Sequence, residues 1–543
     1  MADHLSLGSR RTTLLYWGGV SLVIAALFVT RLLPCVDYPQ HLALGDVARR
    51  LWHSGAAEHA TYELDYFTYN GLFHLLLAGL SSVVPVELAG RLLVAGSLAG
   101  LAGAVIALMH VLRRPPVHAA LFTPVLFSFS LGWGFVNYVL ATAVAAWALV
   151  FVVRVAVRPT ALGVGAVGVL GLTCAFAHVL AMLILCAAAG ALGFEVAVRA
   201  APRRGLRAAP GIAVHAALAV APLLIGCAWC IAVYHRQYVW NPGMYRDPTM
   251  EGSTSPVWEK LALFSAFATD LYTDFTDQIL LWGSLLLMGW SSRLAWKRWK
   301  APHSSAMDAP GRQDPPPFVA LFAVMMLAYL ATPMVLIGTH LIFPRIAQWS
   351  VLGAIVAMPA FPLRERARMD TWMLRLGLLA GANTVVHCAM FGWETIDASR
   401  LIDDLPPAAA VTAVIWEPET TAFRNGTLTH LAAYYAARKH GRWAFAFARY
   451  LSVPVRFKRN AQPAWPAKGW EFSAENYDPR CRYARVFPLV VIKAPPQLSP
   501  DASAEAELRR LVFKQDASAV KLLSHHGRYW AFDSSALPED GTL

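Results

Sequence analysis

The fold is decided by the stretch RRTTLLYWGGVSLVIAALFVTRLLPCVDYPQH, residues 10–41, in which two arginines precede an apolar run that ends in polar residues. The apolar part, 14–33, is long enough to cross the core of a bilayer, which takes roughly 20 residues. No small-residue cleavage site follows it. We therefore expect a retained first span whose start lies in the cytoplasm.

The composition of the whole chain agrees with a membrane protein. Of its 543 residues, 57% are hydrophobic and 15% are charged, and the mean hydropathy is +0.46, whereas soluble proteins carry about 25% charged residues. The chain has 46 Lys and Arg against 34 Asp and Glu, a net charge of +12. These figures exclude a soluble enzyme, a secreted disulfide scaffold and a disordered chain.

Further apolar segments bring the predicted number of membrane spans to about eleven. They lie near 86–112, 117–131, 135–153, 160–176, 179–198, 211–233, 277–296, 318–338, 346–362 and 372–391. These boundaries put most basic residues before Glu394 in cytoplasmic loops, as the positive-inside rule requires, and put everything after about Gly392 outside. The segment 72–84 is short for a crossing, so we expect an interfacial helix on the outer face.

The last part of the chain, 393–543, has mixed charge, proline-rich joints and short alternating runs. Strand patterns occur at 411–416, 453–458, 486–492 and 529–533, and helical spacing at 429–439 and 504–513. The predicted architecture is therefore an all-α polytopic membrane bundle, residues 1–392, with a C-terminal soluble α+β domain on the outer face. The first outer loop, 34–85, carries interfacial helices.

The first outer loop opens with Val-Asp-Tyr-Pro-Gln-His, residues 36–41. Asp37 and Gln40 are spaced like a capping box, and the apolar residues that follow predict an amphipathic helix along the outer face, ending at Gly55. Asp37 has two interpretations. It caps this helix, or it serves as a general base that is kept ionised by the helix N-terminus and assisted by His41 one turn later.

This arrangement resembles the GT-C superfamily of integral-membrane glycosyltransferases. The resemblance rests on a first span that runs into an outer loop with an acidic residue, on the interfacial segment Tyr-Asn-Gly-Leu-Phe-His at 69–74, and on the outer C-terminal domain. It implies that Asp37 acts in catalysis and that the donor is a sugar on a polyprenyl phosphate or pyrophosphate. The commonest pattern has adjacent acids, whereas the next acid here is Asp46, so a divalent metal stays open.

Such a donor needs positive charge near its phosphate, and arginine donates two parallel hydrogen bonds to phosphate. Arg345, in the outer loop between two predicted spans, is the first candidate, and His340 in the same loop is the second. The alternative interpretations are that Arg345 reaches lipid headgroups and that His340 is a packing residue.

A second outer segment mixes aromatic and polar side chains that suit a sugar, and we assign substrate binding to Arg236, Trp240 and Arg246 there. An interfacial aromatic belt would have the same composition. Asn137 and His178, at the outer ends of predicted spans, are further candidates, because polar groups at such depth are costly unless they have a function or a partner.

All these candidates fall on the predicted outer side, and no nucleotide-binding motif occurs in the chain. This placement suits chemistry driven by a lipid-carried activated group. The resemblance to the GT-C superfamily implies a glycosyltransferase that moves a sugar from a lipid-linked donor to a hydroxyl of a glycan, lipid or protein, with no role for nucleic acid. A non-catalytic lipid- or glycan-binding relative of the superfamily, or a transporter, is the alternative. The Ala- and Arg-rich composition favours a bacterial inner membrane, with the C-terminal domain in the periplasm.

Overall fold

A computed structural model describes residues 2–200, 209–240, 254–300, 318–335, 340–361, 363–466, 468–498 and 502–537. The chain divides into two compact units. Unit 1 consists of Met1–Ala26, Val94–Leu131 and Asn137–Val386, and unit 2 of Leu27–Leu93, Gly132–Val136 and His387–Leu543. Unit 2 includes more of the sequence than the predicted domain at 393–543, because the predicted outer loop also belongs to it. The predicted boundary at 392–393 stays a prediction.

Helices dominate the described ranges. In chain order they are α1 Ala2–Ala26, α2 Tyr38–Arg50, α3 Gly71–Leu80, α4 Val86–Val111, α5 Phe129–Gly132, α6 Val136–Val157, α7 Ala161–Ala177, α8 Val179–Ala200, α9 Ala209–Val220, α10 Leu224–Trp240, α11 Val257–Ala262, α12 Phe264–Ala268, α13 Thr276–Lys300, α14 Ala320–Ala331, α15 Ile342–Ala357, α16 Leu363–Glu394, α17 Ile396–Asp404, α18 Leu431–Lys439, α19 Arg482–Arg485 and α20 Ala502–Phe513.

Five helical stretches of the described chain are long and apolar enough to cross a membrane, by length and composition. They are Val86–Val111, Val136–Val157, Val179–Arg199, Ala213–Gln237 and Glu365–Glu394. Shorter apolar helices accompany them, among them α7, α14 and α15. The chain thus has the character of a multi-pass membrane protein. The predicted total of about eleven spans and the outward orientation of the C-terminal part stay predictions.

The first helix is shorter at its C-terminal end than the predicted span 14–33, because α1 ends at Ala26. The residues after it form turns. The Thr30 hydroxyl donates a hydrogen bond to the carbonyl of Leu32, and the guanidinium of Arg91 donates to the carbonyls of Leu27 and Thr30. These side chains satisfy carbonyl groups that a continued helix would have used.

The predicted span at 117–131 is not one continuous α-helix. It consists of a 3₁₀ helix, Pro116–Val125, followed by α5. Pro124 lies inside the 3₁₀ helix. Because proline has no backbone N–H and its ring clashes with the preceding turn, a regular α-helix does not continue through it.

Small residues bring helices of unit 1 close together. A Cβ atom at Gly381 of α16 would lie 2.5 Å from the carbonyl oxygen of Gly19 in α1, and a Cβ at Gly19 would lie 2.9 Å from that of Gly377. Any larger side chain would separate the two backbones. This close packing through glycine is typical of helices in a membrane.

Unit 2 contains the β-structure of the described chain. The strands are β1 Tyr62–Leu64, β2 Ala410–Ile415, β3 Arg442–Trp443, β4 Val455–Phe457, β5 Leu489–Lys493, β6 Lys521–His526 and β7 Tyr529–Asp533. Five of them form a mixed sheet in the order β3-β2-β5-β7-β6. In it β2 runs parallel to β3 and β5, whereas β7 is antiparallel to both its neighbours. The fourth strand, β4, pairs instead with β1 of the predicted outer loop.

Helix α2 is not the amphipathic surface helix that the apolar spacing predicts. Its residues from Tyr38 to Ala48 are all buried, and it ends at Arg50, before Gly55. It packs against α3 and α18, also in unit 2. The polar residues in its first turns are therefore inside the unit, where polar groups need hydrogen-bond partners.

Candidate functional site

Asp37 precedes the first turn of α2 at the N-cap position, and Pro39 lies in that turn, as the sequence predicts. The expected capping is absent, however, because among the described residues no backbone N–H of the helix donates a hydrogen bond to the Asp37 side chain. The interpretation of Asp37 as a mere helix cap is therefore wrong. Its carboxylate is directed to another partner.

The backbone of Asp37 is held by the segment between α5 and α6. Its N–H donates to the carbonyl of Trp133 at 3.0 Å, and the N–H of Val36 donates to the carbonyl of Gly132 at 2.9 Å. Gly134 has φ +79°, and a Cβ atom there would lie 2.5 Å from the nitrogen of Asp37. Only glycine fits this position without moving Asp37.

The partner of the carboxylate is His430, immediately before α18. Its Nε2 lies 3.2 Å from Oδ1 of Asp37, and its Nδ1 lies 3.4 Å from Oε1 of Glu471. The side chains of Asp37, His430 and Glu471 are 17%, 3% and 13% exposed. Residues distant in the sequence thus form a buried carboxylate–imidazole–carboxylate arrangement. With Gln40 they are called the Asp37 cluster below.

Gln40 fixes the geometry of this cluster rather than forming a capping box. Its Oε1 accepts hydrogen bonds from Nε1 of Trp443 at 2.7 Å and from the backbone N–H of Phe447 at 3.2 Å. Its Nε2 donates to the carbonyl of Phe445 at 3.1 Å and lies 3.2 Å from Nδ1 of His430. The amide orientation is therefore determined, because Oε1 has two donors and Nε2 faces two acceptors.

Two groups thus compete for Nδ1 of His430. The neutral ring accepts a hydrogen bond from the Gln40 amide there, whereas the protonated ring donates to Glu471. In both states Nε2 donates to Asp37. A cavity of about 10 Å³ adjoins Gln40, His430 and Glu471, close to the smallest volume that holds a water, about 10–15 Å³.

The electrostatics of the cluster favour proton exchange near neutral pH. Burial raises the pKa of Glu471 to about 7; the charge of Asp37 adds to this effect, while His430 and Arg449 oppose it. Burial by itself lowers the pKa of His430, but its hydrogen bond to Asp37 and the charges of both carboxylates raise that pKa above its ordinary value. Groups whose pKa lies near the working pH suit acid–base chemistry.

His41, the predicted assistant of Asp37, lies one turn along α2. Its Nδ1 is 3.1 Å from Nε2 of His74 in α3, and its ring packs edge to face against Phe73 and Phe447. The described contacts therefore place His41 in a histidine pair, while His430 holds the carboxylate. An assisting role for His41 stays a prediction.

The predicted phosphate ligand, Arg345, belongs to unit 1 and is buried in the first turn of α15. Its Nη1 lies 3.2 Å from Nε2 of His178, and its Nη2 donates to the carbonyl of His340 at 3.0 Å. Tyr138 donates its hydroxyl to the carbonyl of Arg345 at 2.7 Å. Three predicted residues therefore meet in the group formed by Tyr138, His178, His340 and Arg345, called the Arg345 cluster below.

The remaining residues predicted to bind substrate belong to neither cluster. Asn137, next to Tyr138 in α6, is buried. Arg236 is exposed on α10, and Trp240 is the last residue of that helix, with its side chain outside the described atoms. Arg246 lies outside the described residues. No group of three or more His, Cys, Asp or Glu side chains able to hold a metal ion occurs in the part of the chain that the structure describes.

His430 and Glu471 are the residues that sequence reasoning missed. His430 carries only one signal, its position in the first turn of the predicted helix 429–439, and Glu471 lies between two aromatic residues in the sequence Trp470-Glu471-Phe472. Neither signal indicates chemistry. The two residues become visible only when the fold brings them to Asp37.

No protein-family model matches the chain, and no curated protein matches it in sequence. Among solved structures, the chain is similar to ArnT from Cupriavidus metallidurans bound to undecaprenyl phosphate, with 12% identity, coverage of 98% of this chain and 99% of that one, and a TM-score of 0.48. The apo state of the same protein gives 13% identity, full coverage of both chains and a TM-score of 0.45. A likeness at this level supports no inference about substrate.

Proposed function

We propose that the protein is a membrane glycosyltransferase that moves a sugar from a polyprenyl-phosphate-type donor to an acceptor hydroxyl on the outer side of the membrane. The observation that carries the proposal is the Asp37 cluster: a partly exposed carboxylate held by a buried histidine that faces a second carboxylate. The resemblance of the first outer loop to the GT-C superfamily supplies the reaction class.

The two carboxylate oxygens of Asp37 differ in their contacts and are proposed to have different roles. Oδ1 accepts the hydrogen bond from His430, and among the described residues no hydrogen bond reaches Oδ2. In the proposed reaction the acceptor hydroxyl gives its proton to Oδ2 as its oxygen bonds to the anomeric carbon. The bond from that carbon to the donor phosphate breaks, and the phosphate leaves with the electron pair.

The departing lipid phosphate is assigned to Arg345. A buried guanidinium is a permanent positive charge with several donors, and charge that develops on a leaving phosphate is stabilised by such a group. His340 and Arg236 are proposed to assist it, and Trp240, Arg246, Asn137 and His178 to bind donor or acceptor. His41 is proposed as a second orienting group near Asp37.

The test uses the purified full chain with a panel of radiolabelled polyprenyl-phosphate sugars and mixed envelope lipids as acceptors. The variant Asp37→Asn should lower transfer about 10²- to 10⁴-fold, the usual contribution of a general base, without changing expression or monodispersity. Asp478→Asn, which alters an exposed aspartate of the same unit, is the matched control and should transfer normally.

Full activity of Asp37→Asn would remove Asp37 from the mechanism. If the unaltered protein binds a donor tightly but never turns it over, the enzyme proposal fails and the non-catalytic relative of the superfamily is supported instead.

A further inference from the structure

A groove of about 930 Å³ runs between α13 and α16 in unit 1, remote in sequence from both clusters. The part of α16 that lines it, Glu365 to Leu379, lies wholly within that unit. Among the lining residues of α13, Leu286, Trp290, Arg293 and Lys297 are spaced by three or four positions, so these four lie on one face of the helix. The groove therefore follows the two helices lengthwise.

One part of the groove is apolar and open. Leu286 and Leu379 are 71% and 59% exposed, and Trp290 and Trp372 are 53% and 47% exposed. Such large apolar side chains are costly in water but suit a surface that faces lipid chains. The two tryptophans also fit the boundary between chains and headgroups, where indole rings are enriched.

The other part of the groove is cationic. Arg293, Lys297 and Arg375 line it together with one acid, Glu365. The three cationic side chains are exposed, and Arg375 lies over the ring of Trp372 at 5.3 Å. Within the described ranges, no ion pair joins any of the three to a carboxylate. The groove thus presents excess positive charge next to an apolar channel.

We propose that this groove binds one anionic glycerophospholipid of the adjoining leaflet. Its acyl chains lie along Leu286 and Leu379, and its phosphate diester lies between Arg293, Lys297 and Arg375. Basic pockets between helices at the cytoplasmic surface bind anionic headgroups in this way. A zwitterionic lipid fits less well, because its ammonium group would be placed among three cations.

The charge of the headgroup is therefore what the experiment must vary. Native mass spectrometry of the detergent-purified full chain, with dioleoyl phosphatidylglycerol or dioleoyl phosphatidylcholine added at equal concentration, counts the bound lipids directly. We expect retention of phosphatidylglycerol about tenfold above that of phosphatidylcholine, a difference of about 1.4 kcal/mol. Equal retention of the two lipids would overturn the proposal.

A matched pair of triple variants locates the site. Arg293→Gln, Lys297→Gln and Arg375→Gln together should abolish the preference. Arg154→Gln, Arg158→Gln and Arg368→Gln together remove the same charge from exposed positions outside the groove and should preserve it. Loss of the preference in both triple variants would show attraction to the surface in general and contradict the groove.

Three further measurements distinguish lost binding from a folding defect, from a different bound lipid and from dependence on the proposed reaction. Exchanging Arg293 and Arg375 for Lys keeps the charge and should keep most of the preference, so a folding defect is not mistaken for lost binding. Undecaprenyl phosphate added at equal concentration should leave phosphatidylglycerol bound; its displacement would assign the groove to a polyprenyl lipid and overturn the proposal. The variant Asp37→Asn should bind phosphatidylglycerol normally, since the groove does not depend on the proposed reaction.

Discussion

The Asp37 cluster and the Arg345 cluster each contain one buried histidine, His430 and His178, and these two histidines have opposite surroundings. His430 lies between two carboxylates, at 3.2 and 3.4 Å. His178 lies 3.2 Å from the guanidinium of Arg345. Its Nδ1 accepts a hydrogen bond from the backbone N–H of Leu180 at 3.1 Å, so the ring is neutral when this contact forms.

The different surroundings of the two histidines show that the chain contains two kinds of polar cluster. The Asp37 cluster contains groups that gain and lose protons near neutral pH, so it suits proton transfer. The Arg345 cluster holds the fixed positive charge of a guanidinium, so it suits binding of an anion. A reaction that deprotonates an alcohol and releases a phosphate needs one of each.

Apart from the loss of Asp37 itself, the largest expected effect concerns the fixed charge of Arg345. Arg345→Gln should lower kcat/KM for transfer about 10²- to 10³-fold, since one electrostatic donor to a developing charge contributes that much. The pH profile of the residual activity should keep its shape, because the titrating groups are in the other cluster.

Arg345→Lys, which keeps the charge but not the forked donor, should recover part of the loss. Arg154→Gln, on an exposed arginine of the same unit, is the control. A changed pH profile would contradict the division of roles.

The ionisation of Glu471 in the Asp37 cluster should be visible in how the stability of the protein depends on pH. Its pKa is raised from 4.5 to about 7, so between these pH values the folded protein binds more protons than the unfolded chain. The stability of the protein should therefore fall as pH rises from about 4.5 to 7, by up to about 3 kcal/mol from this group. His430, whose pKa is also raised, contributes in the same direction.

The variant Glu471→Gln cannot ionise and should lose most of this decline, so above pH 7 it should unfold at a higher temperature than the unaltered protein. Thermal unfolding in detergent between pH 5 and 8 measures the effect, with Glu475→Gln as the control because Glu475 is exposed on the same loop. Parallel curves for the two proteins would show that Glu471 does not carry the buried charge described here.

The elements of the fold could largely be predicted, because their signals are local. Apolar runs predict α4, α6 and α8 within a few residues, and β-branched residues predict β5 and aromatic residues predict β7. The errors arise where local signals conflict with proline or with tertiary contacts. Pro124 lies in a 3₁₀ helix within a predicted span. Helix α2 is buried, with α3 and α18 packed against it, although its spacing assigns one face to solvent.

The site could be predicted only in part, for a related reason. Asp37, His178 and Arg345 are noticeable because each is a polar residue at the end of an apolar run, where it is costly without a function or a partner. His430 and Glu471 lie in the mixed C-terminal region, where polar residues are common. Their importance depends on a contact across about 390 residues of chain, which no local pattern encodes.

His430 should affect catalysis less than Asp37 itself, because it positions the carboxylate and does not touch the reacting atoms. We expect His430→Gln to lower transfer about 10- to 100-fold, as outer-shell partners of catalytic groups typically do. His430→Ala should be worse, since glutamine retains a hydrogen-bond donor. The pH profile should lose the step that the imidazole contributes. Combining His430→Gln with Asp37→Asn should add little further loss, and additive effects would show that His430 acts independently of Asp37.

The smallest expected effect separates stability from function in the Arg345 cluster. Tyr138→Phe removes the hydrogen bond to the Arg345 carbonyl, and Tyr329→Phe removes a similar bond of the same length, from Tyr329 to the carbonyl of Lys260 in the same unit. Each should cost about 1 kcal/mol of stability, seen as a similar small decrease in the unfolding temperature. Only Tyr138→Phe should also raise KM for the lipid donor, because it loosens the turn that carries Arg345. If both variants change KM equally, the effect is a general loss of rigidity, and the assignment of the donor phosphate to Arg345 loses its support.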